Sequence, residues 1–189
     1  MDLKPTRLRL RLKNTAESIV RSGHPWLFAG SVREQNREGQ AGELAVIFDR
    51  NDKFLAIGLF DPESPIRVRV LHTGKPVMLD AAWWRENLAQ ALRRREGLFD
   101  HRTNGYRCIN GESDNWPGLV LDRYAATLVL KIYTAAWLPR LDQVLQLVAQ
   151  QLRPGRIVLR LSRNIQATAQ DRFAFRDGQV LSGAPMADP

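Results

Sequence analysis

The chain has 189 residues, one cysteine, and 28 Lys+Arg against 20 Asp+Glu, a net charge of +8. Its 44% hydrophobic and 25% charged residues are the composition of a folded globular protein, enough for one domain or two small ones. No apolar run is long enough for a membrane helix, the start is not a secretory signal, and a single thiol forms neither an internal disulfide nor a cysteine-based zinc site, so a reducing cytoplasmic compartment is expected.

The first element is legible from its alternation. In Arg7-Leu8-Arg9-Leu10-Arg11-Leu12 the leucines fall on one face of a strand and the arginines on the other. Leu8, Leu10 and Leu12 should be buried, with Arg7, Arg9 and Arg11 turned to solvent or ligand. Asn14, with Glu17 three residues on, reads as a helix cap, and the helix through Ile19 and Val20 should end at Gly23. The loop Ser22-Gly23-His24-Pro25-Trp26 then runs into an apolar strand. Gly42 to Phe48 and Lys53 to Phe60 read as a hairpin around Asp49-Arg50-Asn51-Asp52, and Ile66 to Val70 alternates again. Residues 1–73 therefore predict a compact β barrel or sandwich.

Gly74-Lys75-Pro76 marks a boundary. Beyond it Asp80 can cap a helix bearing Trp84, Leu88, Ala91 and Leu92 on one face and Arg85, Arg93, Arg94 and Arg95 on the other, ending near Gly97. Tyr106 to Asn110, Gly118 to Asp122 and Ala126 to Tyr133 read as strands. A second amphipathic helix carries Leu138, Leu141, Val144, Leu145, Val148 and Leu152. It stops at Pro154-Gly155, and Arg156 to Leu161 is a further strand. Residues 74–182 predict an α+β domain with strands on either side of a helix, and residues 183–189 a linker.

The charge is spread over both parts: 12 basic against 9 acidic residues in 1–73, and 16 against 11 in 74–189. Of the basic residues 23 are arginines, whose forks match phosphates and stack on bases. A GC-rich genome would produce the same bias. Any nucleic-acid surface must be assembled by folding, because neither part is a basic tail.

Two segments carry candidate chemistry. Gly23, His24, Pro25 and Trp26 could offer rings to a nucleobase, although Trp26 could equally plug the barrel end. With Lys53 and the β-strand arginines Arg7, Arg9 and Arg11 they form the candidate RNA-binding set. The densest polar segment is Asn110-Gly111-Glu112-Ser113-Asp114-Asn115-Trp116-Pro117-Gly118. Its carboxylates could bind metal or work as acid and base, but the spacing is not that of an EF-hand, and an Asx turn satisfying its own backbone explains it as well. Cys108 occupies a strand position, where a lone cysteine is normally a small buried hydrophobe. The sequence has no Gly-x-Gly-x-Gly type turn, Walker loop or Cys-x-x-Cys pair.

Ser22-Gly23-His24-Pro25-Trp26-Leu27-Phe28 followed by Asn110-Gly111-Glu112-Ser113-Asp114-Asn115-Trp116-Pro117-Gly118-Leu119-Val120-Leu121-Asp122-Arg123-Tyr124 resembles the class I SAM-dependent methyltransferases of large-subunit ribosomal RNA, of the PUA-containing cytosine-C5 type. The resemblance covers nearly the whole chain. It implies an N-terminal PUA-like β barrel that binds ribosomal RNA, then an α+β domain that guides substrate, in an α+β fold class. The family's Rossmann-like domain, with its SAM site and catalytic cysteine, has no counterpart here. Trp116 stands where the family usually has Leu, and the family does not use the Cys108 position for chemistry. The resemblance further implies that Asn110, Glu112, Ser113, Asp114 and Trp116 line a substrate cleft for a base extruded from RNA. On this reading the chain alone has no catalytic residue, no metal and no cofactor, while a full-length parent uses SAM.

Two other readings compete: a stand-alone PUA-type RNA-binding adaptor, and a metal-dependent hydrolase built on the Asn110–Asp114 turn. No membrane partner is expected, and the sequence leaves open the modified nucleotide and whether the chain forms a homodimer.

Overall fold

The computed structural model describes residues 7–185. The chain divides into two compact units, Met1–Val77 and Met78–Pro189. The first contains β1 (Leu8–Leu12), α1 (Asn14–Arg21), β2 (Trp26–Phe28), β3 (Val32–Gln35), β4 (Leu44–Phe48), β5 (Phe54–Phe60) and β6 (Ile66–Thr73). These strands form one sheet in the order β2-β6-β5-β4-β1-β3. Leu8, Leu10 and Leu12 are buried beside Val20, Leu27, Ile47, Phe60 and Val68, so the alternation of β1 builds this core directly.

Three details differ from the sequence reading. The end strands β2 and β3 do not pair, so the sheet is curled and open, not a closed barrel. Asn14 is the first helical residue; the cap is Lys13, which makes no side-chain cap bond, and Glu17 instead accepts from the Arg50 backbone N–H at 2.7 Å. A buried carboxylate so placed ties α1 to the β4–β5 turn. Third, β3 carries a single apolar residue, Val32, and so has no period-2 signal. Its place comes from pairing with β1, reinforced by Asn36, which accepts from Arg9 N–H at 2.8 Å and donates to the Arg7 carbonyl at 3.2 Å.

The second unit contains α2 (Ala81–Arg93), β7 (Gly105–Asn110), β8 (Leu119–Tyr124), β9 (Thr127–Ile132), α3 (Leu141–Leu152), β10 (Arg156–Leu161), α4 (Gln166–Phe173) and β11 (Val180–Gly183). Its sheet runs β11-β10-β9-β8-β7, and β9 and β10, joined through α3, are its one parallel pair. Asp80 caps α2 by accepting from Trp83 N–H at 2.9 Å, as its position before the apolar stripe predicts. The helix ends at Arg93, short of Gly97, and the second helix starts at Leu141, because Pro139 sits in a preceding 3-10 turn over Ala135–Arg140.

The C-terminal reading needs correction. Gly183 is not linker; with Ser182 it pairs with Arg156 and Ile157 as the edge strand β11. Gly183 has φ +88, and a Cβ there would lie 2.1 Å from the Gly155 carbonyl oxygen, so no other residue fits. Residues 186–189 of the expected linker lie outside the described residues. Helix α4 escaped the sequence reading because Ala169 is its one buried residue, too little for an apolar stripe.

The helices lie on one face of this sheet. Trp84 of α2 and Trp137 of the 3-10 turn both meet Trp116, at centroid distances of 5.2 and 5.6 Å, while α3 and α4 pack against that same turn. The covered face is formed by Leu119, Leu121, Leu128, Leu130, Ile132, Ile157, Leu159 and Leu161, all buried.

Candidate nucleic-acid interface

On the first unit, Arg9 and Arg11 of β1 and Arg7 just before it are in three different states. Arg9 lies 4.5 Å from the Phe48 ring centroid, a cation–π arrangement that fixes the side chain while leaving it exposed. Arg11 is paired with Glu34 at 2.7 Å and with Asp52, so its charge is already matched. Arg7 is exposed, and neither Arg7 nor Arg9 has an ion pair among the described residues. A groove of about 430 Å³ is lined by Arg9, Arg11, Glu34, Asn36, Phe48 and Asp52. Lys53 is exposed at the turn leading into β5.

The Gly23–Trp26 loop is set by the end of α1. Gly23 N–H reaches the Val20 carbonyl at 3.0 Å and His24 N–H the Ile19 carbonyl at 3.2 Å, with Gly23 at φ +90. That left-handed cap turns the chain out of the helix. Trp26 N–H donates to His24 Nδ1 at 3.2 Å, and the two rings meet edge-on at 5.9 Å. His24 is exposed and Trp26 half-buried. This loop leads into β2, and β6, β5 and β4 stand between β2 and β1 in the sheet, so the two parts of the candidate RNA set are not on neighbouring strands.

The polar loop of the second unit divides sharply. The Asp114 side chain is 2% exposed and receives four hydrogen bonds or ion pairs: from Arg94 at 2.9 Å, from Arg95 at 2.9 and 2.6 Å, and from Asn110 N–H at 2.7 Å. Burial by itself would raise its pKa. The bonds from Arg95 and the Asn110 backbone, with the Arg95 charge, outweigh burial and hold the carboxyl below the usual carboxylate range. Arg95 also donates to the carbonyls of Arg107 at 3.0 Å and Ala91 at 2.8 Å. Arg94 and Arg95 therefore do not lie on an outer helix face; they follow the end of α2 and turn in to clamp the loop. Trp116 is fully buried between Trp84 and Trp137 and presents no face to a base. Asp114 and Trp116 are thus spent on the fold, whereas Asn110 and Ser113 are exposed and Glu112 half-buried. Cys108 is fully buried, and burial pushes its thiol pKa up, which disfavours the nucleophilic thiolate.

Residues 10–73 match the family model of a PUA-like domain. The chain as a whole is similar to ribosomal RNA large subunit methyltransferases. It is 56% identical over 187 residues to the one from Deinococcus radiodurans, covering 96% of this chain and 46% of that protein. It is 37% identical over 134 residues to ribosomal RNA large subunit methyltransferase I of an Enterobacter species, covering 68% of this chain and 33% of that protein. The chain therefore spans about half the length, or less, of the curated relatives it matches. Among solved structures, its fold is similar to a Streptococcus mutans protein assigned as a SAM-dependent methyltransferase, with TM-score 0.75 at 15% identity over 95% of this chain and 44% of that one. A second, assigned as a methyltransferase and complexed with SAH, gives TM-score 0.71 at 16% identity over 83% of this chain and 41% of that one.

The two strand-to-helix turns of the second unit that follow β9 and β10 lack the glycines of a Rossmann-type SAM cradle. Such a cradle needs backbone N–H groups brought close by glycines where a strand enters a helix. Here β9 enters its helix through Thr134-Ala135-Ala136 and β10 through Ser162-Arg163-Asn164, without a glycine at either turn. Among the described residues no three His, Cys, Asp or Glu side chains converge on a metal-sized site, and no helix is long and apolar enough to cross a membrane.

Proposed function

We propose that this chain is the RNA-binding and substrate-positioning portion of a SAM-dependent cytosine-C5 methyltransferase of large-subunit rRNA, working in the cytoplasm and not catalytic alone. The observation that carries this reading is the 56% identity, over 96% of the chain, to half of a ribosomal RNA large subunit methyltransferase. The PUA-like match over residues 10–73 supports RNA as the ligand of the first unit, with Arg7, Arg9 and Lys53 as phosphate contacts and His24 and Trp26 as ring contacts. Arg11, matched by Glu34 and Asp52, serves to shape the groove beside Arg9. In the second unit Asn110, Glu112 and Ser113 are the polar side chains that would contact a substrate base. Methyl transfer and SAM binding belong to the remainder of the full-length enzyme.

The test is a binding titration of this chain against a large-subunit rRNA fragment at several salt concentrations, beside calorimetry with SAM. RNA affinity should fall steeply as salt rises, because phosphate contacts release counterions, and SAM should give no heat. Absence of RNA binding at low salt overturns the RNA reading; micromolar SAM binding overturns the division of labour.

A further inference from the structure

The helices of the second unit cover one face of its sheet; on the opposite face Val120 and Val158 are buried and the other residues of the rows below are exposed or half-buried. The register shows what occupies that face. One row across the sheet is Asn110, Val120, Lys131 and Arg160; the next is Arg107, Asp122, Val129 and Val158; the third is Gly105, Tyr124, Thr127 and Arg156. The β-bulge at Cys108 sets this pattern, turning Cys108 and Ile109 into the core while Arg107 and Asn110 both face outward. Sheet faces turned to water are ordinarily small and polar. This one carries Tyr124 at 58% exposure and, just past β9, Tyr133 at 40%.

Its charge is predominantly positive. Arg107, Lys131, Arg156 and Arg160 stand against Asp122 and Asp177. The Lys131 ammonium lies 5.0 Å from the Tyr133 ring centroid and has no ion pair among the described residues. Arg160 is bound to Asp177 through Nε at 2.9 Å, leaving its two terminal nitrogens without a hydrogen bond among the described residues. Arg107 is held side-on by Asp122 at 2.8 Å and donates to the Asn110 side-chain oxygen at 3.1 Å. At its β7 edge the surface drops into a groove of about 550 Å³ bordered by Phe99, Tyr106, Arg107, Asn110 and Tyr124, where Phe99 stacks on Tyr106 at 4.9 Å.

We infer that this helix-free face is a second RNA-docking platform, one that takes a single-stranded segment. Unpaired bases stack on Tyr124 and enter the edge groove beside Phe99, where Asn110 can hydrogen-bond a base edge; Lys131 and Arg160 hold the phosphates. The physical reasons are three. Exposed rings on a flat strand surface meet the π-faces of bases only where those bases are unpaired. Free ammonium and guanidinium donors beside the rings match a backbone that carries one charge per nucleotide. A rigid sheet holds rings and cations at fixed spacing, which lowers the ordering cost of binding. The inference rests on the RNA-binding reading above, but locates a site separate from the β1 arginines.

The test uses the full 189-residue chain and a fluorescent single-stranded RNA oligonucleotide. Variants Tyr124→Ala, Lys131→Glu and Arg160→Glu are compared with Arg9→Ala on the first unit. Melting temperatures of Tyr124→Ala and Lys131→Glu should match the parent, since neither side chain is buried. Loss of one stacked base should weaken single-strand binding by about fivefold or more, and Lys131→Glu should lower the salt slope as well. A duplex RNA of equal length should respond to Arg9→Ala and not to Tyr124→Ala. If single-strand affinity falls with Arg9→Ala but is unchanged by all three platform variants, the platform is overturned while RNA binding by the first unit stands. If the parent binds no RNA at low salt, both readings fall together.

Discussion

Each unit contains an arginine–carboxylate cluster, and the two clusters use the same chemistry for opposite ends. In the first, Arg11 sits between Glu34 and Asp52, with all three side chains at least 30% exposed. In the second, Arg94 and Arg95 close on Asp114, whose side chain is 2% exposed. Water screens the first cluster and reclaims any member that loses its partner. The second has no water to replace a partner, so its geometry is held by the cost of leaving a charge unpaired. An ion pair is therefore a shaping device at the surface and a fold requirement once buried.

That contrast can be broken at several strengths. The largest effect is expected from Asp114→Ala, which leaves Arg95 uncompensated at 15% exposure and frees Asn110 N–H. It should cost about 3–5 kcal/mol in chemical denaturation of the second unit; an unchanged midpoint would show that solvent reaches the cluster. Trp116→Ala, which empties the centre of the tryptophan cluster, should cost a comparable amount, about 3–5 kcal/mol. A full-length relative carrying it that melted normally yet lost activity would return Trp116 to the substrate.

Acid dependence sharpens the comparison next. The Asp114 carboxyl is held below its usual range in the folded chain, chiefly against the pull of burial, by Arg95 and the Asn110 backbone. Its stabilisation is fully present above the unfolded-state value of about 3.9 and is lost as pH falls through the lower folded value. Asp114→Asn should therefore flatten the fall in stability below about pH 4. A slope equal to the parent's would assign the acid sensitivity elsewhere, Asp177 being another carboxyl of the second unit held below the usual range, against burial, by the Leu161 backbone and Arg160.

On the outward-facing side, Arg9→Ala should weaken RNA binding and reduce the salt slope by about one, the signature of one lost phosphate contact. A lost affinity with the slope unchanged would mean that Arg9 reads a base and not a phosphate. The smallest effect belongs to Arg11→Ala. Its pairs are exposed, and the midpoint of the first unit should stay within measurement error; a clear shift would show that the Glu34–Arg11–Asp52 bridge locks the β1–β3 edge.

Much of the fold was legible because local pattern and burial agree. The β1 alternation, the Asp80 cap and the stripe through Leu141, Val144 and Val148 each state their own geometry, and the structure follows them. Elements whose stability comes from distant partners were not legible. Strand β3 offers one apolar residue and α4 one buried alanine; Gly183 reads as linker until Gly155 is seen packed against it. The candidate site failed in the same manner. Asn110, Glu112, Ser113 and Asp114 look alike in sequence as polar side chains of one turn, and nothing local says that Asp114 points into two arginines while Asn110 is exposed.

The sequence by itself determined the amphipathic elements, the boundary near Gly74–Pro76 and the excess of arginine, since these depend on residue type and on periods of 2 and 3.6 set by backbone geometry. Only the tertiary structure decided which arginines serve the fold and which face outward. That choice is made by burial and by long-range partners: Asp114 for Arg94 and Arg95, Asp52 for Arg11, and the sheet face opposite the helices for Lys131 and Arg160. A guanidinium's role follows from the dielectric and the charges around it, and those are fixed only when residues far apart in the chain come together.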